Sequence, residues 1–151
     1  MEDLIQGGYV LTADPQRVDF TRVHRWLAEE SYWAVGRSHD LVARSIDGSL
    51  PYSIFAGAEQ VGFARAVTDG ATFAWICDVF IDGTHRGRGL GKWLIDSILA
   101  DLSERGVQRF LLATRDAQEV YRRSGFAELE GAHRFMEIDR RPTGNPILGR
   151  A

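Results

Sequence analysis

The sequence predicts an α+β domain in which a mixed, mostly antiparallel sheet lies between two layers of helices. Three strand patterns separated only by short turns, over residues 52–81, indicate an antiparallel meander. A strand, an amphipathic helix and a second strand over residues 73–114 indicate a crossover unit, whose two strands run parallel. The last strand of the meander is apolar on both faces, which predicts helices on both sides of the sheet.

The first elements of the chain are a short strand and two helices. We predict the strand over residues 9–12 and a helix over 14–30 that begins at an Asp-Pro pair, which offers a cap and a first-turn proline. A second helix over residues 38–47 begins with Ser38 as its cap. The aromatic segment between the two helices is predicted to be a loop.

The meander consists of strands over residues 52–56, 61–68 and 72–81. Side chains alternate along a regular strand, so Cys77 and Asp78 are expected on opposite faces of the third one. On this basis we interpret Cys77 as a core residue and not as a nucleophile.

The second half of the chain begins with a long helix that carries a leucine stripe and ends at Gly106. A buried strand over residues 110–114 and a short helix over 117–123, capped by Asp116, are predicted next. A last strand pair is predicted over residues 127–129 and 134–138.

Composition places the chain of 151 residues, with 44% hydrophobic and 26% charged residues, among globular proteins. We expect one domain over residues 1–140 and a short tail over 141–151, where prolines and a glycine are typical of a loose extension or a docking segment. A domain of this length buries roughly 70% of the surface of its unfolded chain, so its core requires neither disulfides nor a metal.

Charge and cysteine content exclude several function classes. Eighteen Lys and Arg residues against twenty-one Asp and Glu give a formal charge of −3, which argues against a nucleic-acid partner. The single cysteine is typical of a reducing compartment, so we expect a cytoplasmic protein. No apolar stretch approaches the ~20 residues of a membrane span, and the four histidines lack the spacing of a metal site.

A basic, glycine-rich segment links the central strand to the long helix. The first turn of a helix has unpaired N–H groups and a positive dipole end, and glycines let a phosphate approach the backbone, which predicts a phosphate or pyrophosphate site. The alternative is that the glycines only make a tight connection. Neither a dinucleotide-binding turn nor a Walker loop fits, because a meander precedes the segment and no Ser or Thr follows its lysine. The segment consists of Arg86, Gly87, Arg88, Gly89, Leu90, Gly91 and Lys92.

Three blocks, in order, resemble the GNAT superfamily of N-acetyltransferases. Arg86, Gly89 and Gly91 match the spacing of its acetyl-CoA motif. Residues 78–81 resemble the end of its fourth strand, and residues 120–126 resemble its late Leu-Tyr-x-x-x-Gly-Phe motif. The resemblance implies a three-layer α/β/α fold with a sheet of about seven strands that is splayed between the fourth and fifth.

The resemblance also implies the cosubstrate and its place. Acetyl-CoA would lie in the splayed cleft, with its pantetheine along the strand at Val79, Phe80 and Ile81 and its pyrophosphate on the amides of residues 86–92. Thr114 stands where many members carry an asparagine that contacts the pantetheine. No metal is implied.

The activity implied is transfer of an acetyl group from acetyl-CoA to a primary amine of a small molecule or peptide, by direct attack in a ternary complex. The alternative is a non-catalytic module that binds an acyl-CoA and acts as a sensor. Members of the family often form homodimers, which makes a second copy of the chain a candidate partner.

Two ionisable residues are the catalytic candidates. An amine must lose a proton before it attacks, and either a carboxylate or a chain of water molecules must take it. Asp78 is the candidate base, because it is an ionisable residue on an apolar strand beside the expected cleft. The alternatives for Asp78 are a buried acid satisfied by an arginine or by backbone donors, or a site for a cationic substrate. Tyr121 resembles the general acid of the family and would protonate the leaving thiolate, the alternative being a core tyrosine.

The acceptor pocket is assigned by analogy to the loop between the first two helices. Its candidate residues are Tyr32, Trp33 and Arg37, and the alternative is that the two aromatic side chains only pack against the sheet. Aromatic rings and Asp78 suit a small cationic amine.

Overall fold

The fold is that of a mixed six-stranded sheet, in a computed structural model that describes residues 1–142. The strands follow one another across the sheet in chain order, and only the last pair is parallel. This confirms the predicted α+β class. Most of the predicted tail, residues 143–151, lies outside the described residues. The strands are β1 (Leu4–Gln6), β2 (Tyr9–Thr12), β3 (Leu50–Ala56), β4 (Glu59–Thr68), β5 (Ala74–Ile81) and β6 (Phe110–Leu111).

Helices cover both faces of the sheet and create two cores. On one face α3 packs Leu94 and Ile98 against strand residues such as Ile76. On the other face α1 and the turn after it pack Trp26 against Phe63 and Phe80. In the described part of the chain, no helix has the length and apolar character needed to cross a membrane. The helices are α1 (Phe20–Arg25), α2 (His39–Asp47), α3 (Leu90–Glu104) and α4 (Gln118–Arg122).

The N-terminal prediction of one helix over residues 14–30 is wrong. A 3-10 turn over Pro15–Arg17 ends at Val18, whose backbone is extended. The helix α1 starts afresh because the Asp19 side chain accepts a hydrogen bond from the Arg22 amide and caps it. A π turn over Trp26–Glu30 completes the segment. The strand β1 was not predicted, and it forms a hairpin with β2.

The predicted strand pair over residues 127–129 and 134–138 does not form. Gly131 adopts a φ of +67° and starts a 3-10 turn over Ala132–Arg134. Met136 is 98% exposed and Ile138 is 83% exposed, so the second segment has no face buried against the sheet. The sheet therefore has six strands instead of about seven.

A β-bulge interrupts β5 at Asp78. Arg65 is paired with Cys77 and Phe63 with Phe80, so the single residue between them on β4 faces two residues on β5. Asp78 has a φ of +54°, in the left-handed region that aspartate tolerates better than most residues. Cys77 lies opposite Arg65, and Asp78 bonds to the Arg65 side chain, so both lie on the face of α1 and α2. The expected alternation of Cys77 and Asp78 is therefore wrong.

The sheet splays beyond the bulge. Pairing between β5 and β6 stops at Trp75 and Leu111, whereas β5 continues to Ile81. Because β1 was not predicted, these two strands are the predicted fourth and fifth, and the splay between them is confirmed. From Ile76 to Ile81, no described strand pairs with β5 on the β6 side.

Candidate active site

Four side chains converge on the bulge, and we call them the Asp78 cluster: Asp78, Trp33, Arg37 and Arg65. The Arg37 Nη1 donates to Asp78 Oδ1 at 3.0 Å and to Oδ2 at 2.9 Å. The Arg65 Nε donates to Oδ2 at 2.6 Å, and the Trp33 Nε1 donates to Oδ1 at 3.0 Å. The loop after α1, the strand β4 and the bulge of β5 thus meet at one carboxylate.

The Asp78 cluster is partly shielded from water. The side chain of Asp78 is 1% exposed, that of Arg65 is 12% exposed and that of Arg37 is 23% exposed. Two guanidinium groups around one carboxylate leave one excess positive charge. Such charge-assisted hydrogen bonds are the strong ones in proteins, so the cluster ties the loop to the sheet.

This geometry bears on the role expected for Asp78. Its two oxygens accept four hydrogen bonds from the protein, and its charge is offset by two cations. Both oxygens are thus already bound by donors of the protein, and the two neighbouring cations make this carboxylate a poor site for a cationic amine. The geometry therefore favours the alternative in which Asp78 is a buried acid satisfied by arginine.

Tyr121 lies on α4, at the other side of the cleft. Burial, followed by the nearby Tyr32 and Asp116, raises the pKa of Tyr121 to about 12. The phenol is therefore protonated throughout the neutral range and can donate a hydrogen bond. Tyr121 also packs against Phe126 at a ring distance of 6.0 Å.

Tyr32 connects the Asp78 cluster with the Tyr121 side of the cleft. Its ring contacts that of Trp33 at 5.0 Å, its hydroxyl accepts a hydrogen bond from the Arg115 amide at 3.2 Å, and the Arg115 guanidinium lies 3.9 Å from its ring centre. The structure thus brings all three predicted acceptor residues together with Asp78 and close to Tyr121.

Cys77 is a neighbour of the cluster. Burial raises the pKa of its thiol to about 11, so the thiol is protonated at neutral pH. A protonated thiol is a weak nucleophile, and this agrees with the interpretation of Cys77 as a structural residue.

The glycine-rich segment forms an open cradle at the start of α3. Gly87 and Gly89 have φ values of +75° and +78°, and no atom lies within 4 Å of the position that a Cβ would take on either one. Gly89 is the cap residue of α3 and makes no side-chain hydrogen bond, so no capping side chain closes the first turn. Unpaired amides at the start of a helix suit a phosphate group.

The basic side chains of this segment have partners in the protein. Arg86 donates through Nε to the carbonyl oxygen of Ile81 at 2.9 Å and lies over the Phe80 ring. Arg88 donates to the Tyr9 hydroxyl at 3.0 Å, and that hydroxyl is 3.0 Å from Nδ1 of His85. These contacts hold the loop against the sheet. The attraction of a pyrophosphate by the charges of Arg86 and Arg88 stays a prediction.

Thr114 and Tyr121 share a cavity of about 300 Å³ between β6 and α4. The Thr114 hydroxyl accepts a hydrogen bond from the Ala117 amide at 3.1 Å. The cap expected of Asp116 is wrong, because Ala117 is the cap residue of α4 and no side chain accepts a hydrogen bond from the first turn of that helix. Among residues 1–142, no group of three or more His, Cys, Asp or Glu side chains is placed to hold a metal ion.

Sequence reasoning missed Arg65, Tyr9 and His85. Arg65 gave a signal, because it is the only charged residue in the apolar run of β4 from Val61 to Val67. Tyr9 and His85 gave none, since their contact joins positions 76 residues apart.

Comparison with known proteins decides the family. The profile of the acetyltransferase (GNAT) family matches residues 20–126 of the chain. The chain belongs to the GNAT family. A GNAT-family protein of Xanthomonas campestris, known from a crystal structure, is 39% identical and superimposes with a TM-score of 0.83 over 87% of this chain and 92% of that one.

Relatives with curated names are also acetyltransferases. A Gibberella zeae protein assigned to the acetyltransferases is 27% identical over 139 residues, which is 77% of this chain and 77% of that protein. A histone acetyltransferase of Glycine max is 41% identical over 80 residues, which is 50% of this chain but 35% of that protein. These comparisons support acetyltransferase activity for this GNAT chain.

Proposed function

We propose that this GNAT protein transfers the acetyl group of acetyl-CoA to a primary amine of a small molecule or peptide, by direct attack in a ternary complex. The observation that carries the proposal is the edge of β5 from Ile76 to Ile81, where no described strand pairs, followed after a 3-10 turn by the uncapped start of α3. An extended pantetheine chain can add to such an edge as a further strand would, and a pyrophosphate suits the helix start.

The residues present fit this cosubstrate. Val79, Phe80 and Ile81 offer backbone groups along the open edge, and the Ile81 oxygen keeps a second lone pair beside its bond to Arg86. Residues 86–92 offer backbone amides, with open space beside Gly87 and Gly89. Thr114 lines the cavity that Tyr121 shares. The cosubstrate supplies the activated acetyl thioester.

Tyr121 donates a hydrogen bond to the leaving sulfur in this mechanism. Complete proton transfer from a phenol with a pKa of about 12 to a thiolate with a pKa of ~8.5 is uphill by roughly 5 kcal/mol. A hydrogen bond alone stabilises the developing negative charge without this cost. We therefore propose Tyr121 as the donor, with protonation of the thiolate completed from water.

The amine loses its proton without a dedicated carboxylate base. The excess positive charge of the Asp78 cluster disfavours an ammonium group beside it, because like charges destabilise the charged form. The neutral amine that remains can attack the thioester carbon, and its nitrogen, positively charged after the attack, then loses one proton to water in the open cleft. Asp78 acts here as a positioning residue that holds Arg37 and Trp33.

Mixing the purified protein with acetyl-CoA and a panel of amines tests the proposal. We expect free thiol to appear together with amines heavier by one acetyl group, as seen by mass spectrometry. Tyr121→Phe should lower kcat about 10- to 100-fold with little change in acetyl-CoA affinity. Tight binding of acetyl-CoA without any acetylated amine would favour the sensor alternative.

A further inference from the structure

We infer that the amine acceptor carries a carboxylate group, which Arg37 and Arg65 bind. The inference rests on the proposed acetyl transfer and names the class of its substrate: small amino acids, in which an amine and a carboxylate belong to one molecule. The observation behind it is the unequal charge of the Asp78 cluster.

The excess charge of the cluster has no other partner nearby. Within residues 1–142, Asp78 is the only acidic residue that forms an ion pair with either Arg37 or Arg65. Both guanidinium groups are mostly shielded from solvent, where an unbalanced charge interacts more strongly with a counter-ion than it would in water. The cluster thus attracts an anion from outside the chain.

Donors remain free to hold that anion. Arg65 donates to Asp78 through Nε alone, and Arg37 donates through Nη1 alone. The other nitrogens of both guanidinium groups make no hydrogen bond within the described part of the chain. They are also absent from the set of fully buried polar atoms that lack a partner, so they are not fully buried. They therefore reach solvent, and the planar fork of such donors matches a carboxylate.

Asp78 fixes both guanidinium groups before the substrate arrives. Preorganised donors lose less entropy on binding than mobile ones, so the pair favours an anion of fixed shape over a diffuse counter-ion. The cluster also adjoins Val79, at the free edge of β5. A carboxylate bound here keeps the amine of the same molecule close to the cleft.

The direct test compares each of a set of amino acids with its primary amide and with its decarboxylated amine. We expect kcat/KM for the amino acids to exceed that for both neutralised partners at least tenfold. Calorimetry in the presence of free coenzyme A should show binding of the amino acid and much weaker binding of the amide. Equal rates and equal binding, or a preference for aminoalkyl phosphates, would overturn the inference.

Variants that keep the charge but remove the fork locate the site. Arg65→Lys leaves a cation beside Asp78, and we expect it to raise KM for the amino acid at least tenfold and KM for the amide less than twofold. Arg44→Lys, on the exposed face of α2 and paired with Asp40, is the matched control and should change neither value. An identical rise for acid and amide would overturn the assignment of Arg65.

Failure of the inference differs from failure of the proposed function. If coenzyme A binds and amines are acetylated without regard to a carboxylate, the acetyl transfer stands and the substrate class is wrong. If neither coenzyme A binding nor acetylation occurs with any amine, both are wrong.

Discussion

At the scale of single residues, Asp78 is the centre of the candidate site, because its carboxylate accepts hydrogen bonds from Trp33, Arg37 and Arg65. An acid on an apolar strand was visible as an unusual feature, and the loop residues Trp33 and Arg37 were singled out with it. Their convergence depends on a left-handed backbone at Asp78 and on Arg65 from another strand, and neither follows from periodicity. The sequence therefore indicated the members of the site better than their roles.

Replacing Asp78 with asparagine should destabilise the protein. Two partly buried guanidinium groups would lose their counter-charge, for which we expect a loss of about 2–4 kcal/mol in the free energy of unfolding. Urea denaturation of the variant measures it. Asp96→Asn, in an exposed pair with Lys92 on α3, is the control and should lose less than about 0.5 kcal/mol. Equal losses in the two variants would contradict the structural role of Asp78.

The buried phenol of Tyr121 predicts an alkaline loss of stability. Its pKa is about 12 in the folded protein and ~10 in the unfolded chain, so the neutral phenol favours folding below pH ~10. This contribution is lost as the pH rises through 12, and at pH 11 the loss is about 1.4 kcal/mol. Urea unfolding of the wild type and of Tyr121→Phe at pH 8 and 11 should show a steeper decline in the wild type. Parallel declines would show that Tyr121 is not buried in this way.

At the scale of elements, the long helix α3 and the meander followed directly from sequence patterns. The predicted helix over 14–30 failed because the backbone is extended at Val18 and Asp19 caps a second helix after it. The predicted last strands failed because their side chains find no apolar surface to cover. Local sequence patterns thus predicted the right element where one of its faces is buried. They predicted the wrong one over residues 14–30 and over residues 127–138.

Gly89, at the start of α3, and Gly70, between β4 and β5, form a matched pair for substitution by alanine. Gly89 and Gly70 have φ values of +78° and +74°, and in both cases the space that a Cβ would occupy has no atom within 4 Å. Each change to alanine should therefore cost about 1–2 kcal/mol of stability, because only the backbone conformation is penalised. Only Gly89→Ala should also weaken acetyl-CoA binding, at least tenfold by calorimetry. If both variants bind acetyl-CoA with the same affinity, that result would contradict the assignment of its pyrophosphate to the start of α3.

At the scale of the whole molecule, two cores pack on opposite faces of the sheet, and β5 and β6 separate beyond Trp75. At the bulge the Asp78 side chain meets the loop after α1, and beyond Trp75 the edge of β5 has no described strand beside it, where we propose that the cosubstrate binds. The class of fold and the position of the splay were predictable because the crossover unit and the family motifs define them together. The bulge was not predictable, since it depends on the left-handed backbone conformation of Asp78 alone.

Nuclear magnetic resonance of the labelled protein, titrated with acetyl-CoA, tests the central claim most directly. We expect the largest amide shift changes at residues 76–81 along the open edge of β5 and at residues 86–92 around the start of α3. The hairpin of β1 and β2 should change little. Saturating acetyl-CoA that leaves both segments unchanged, or that perturbs only distant amides, would contradict the account.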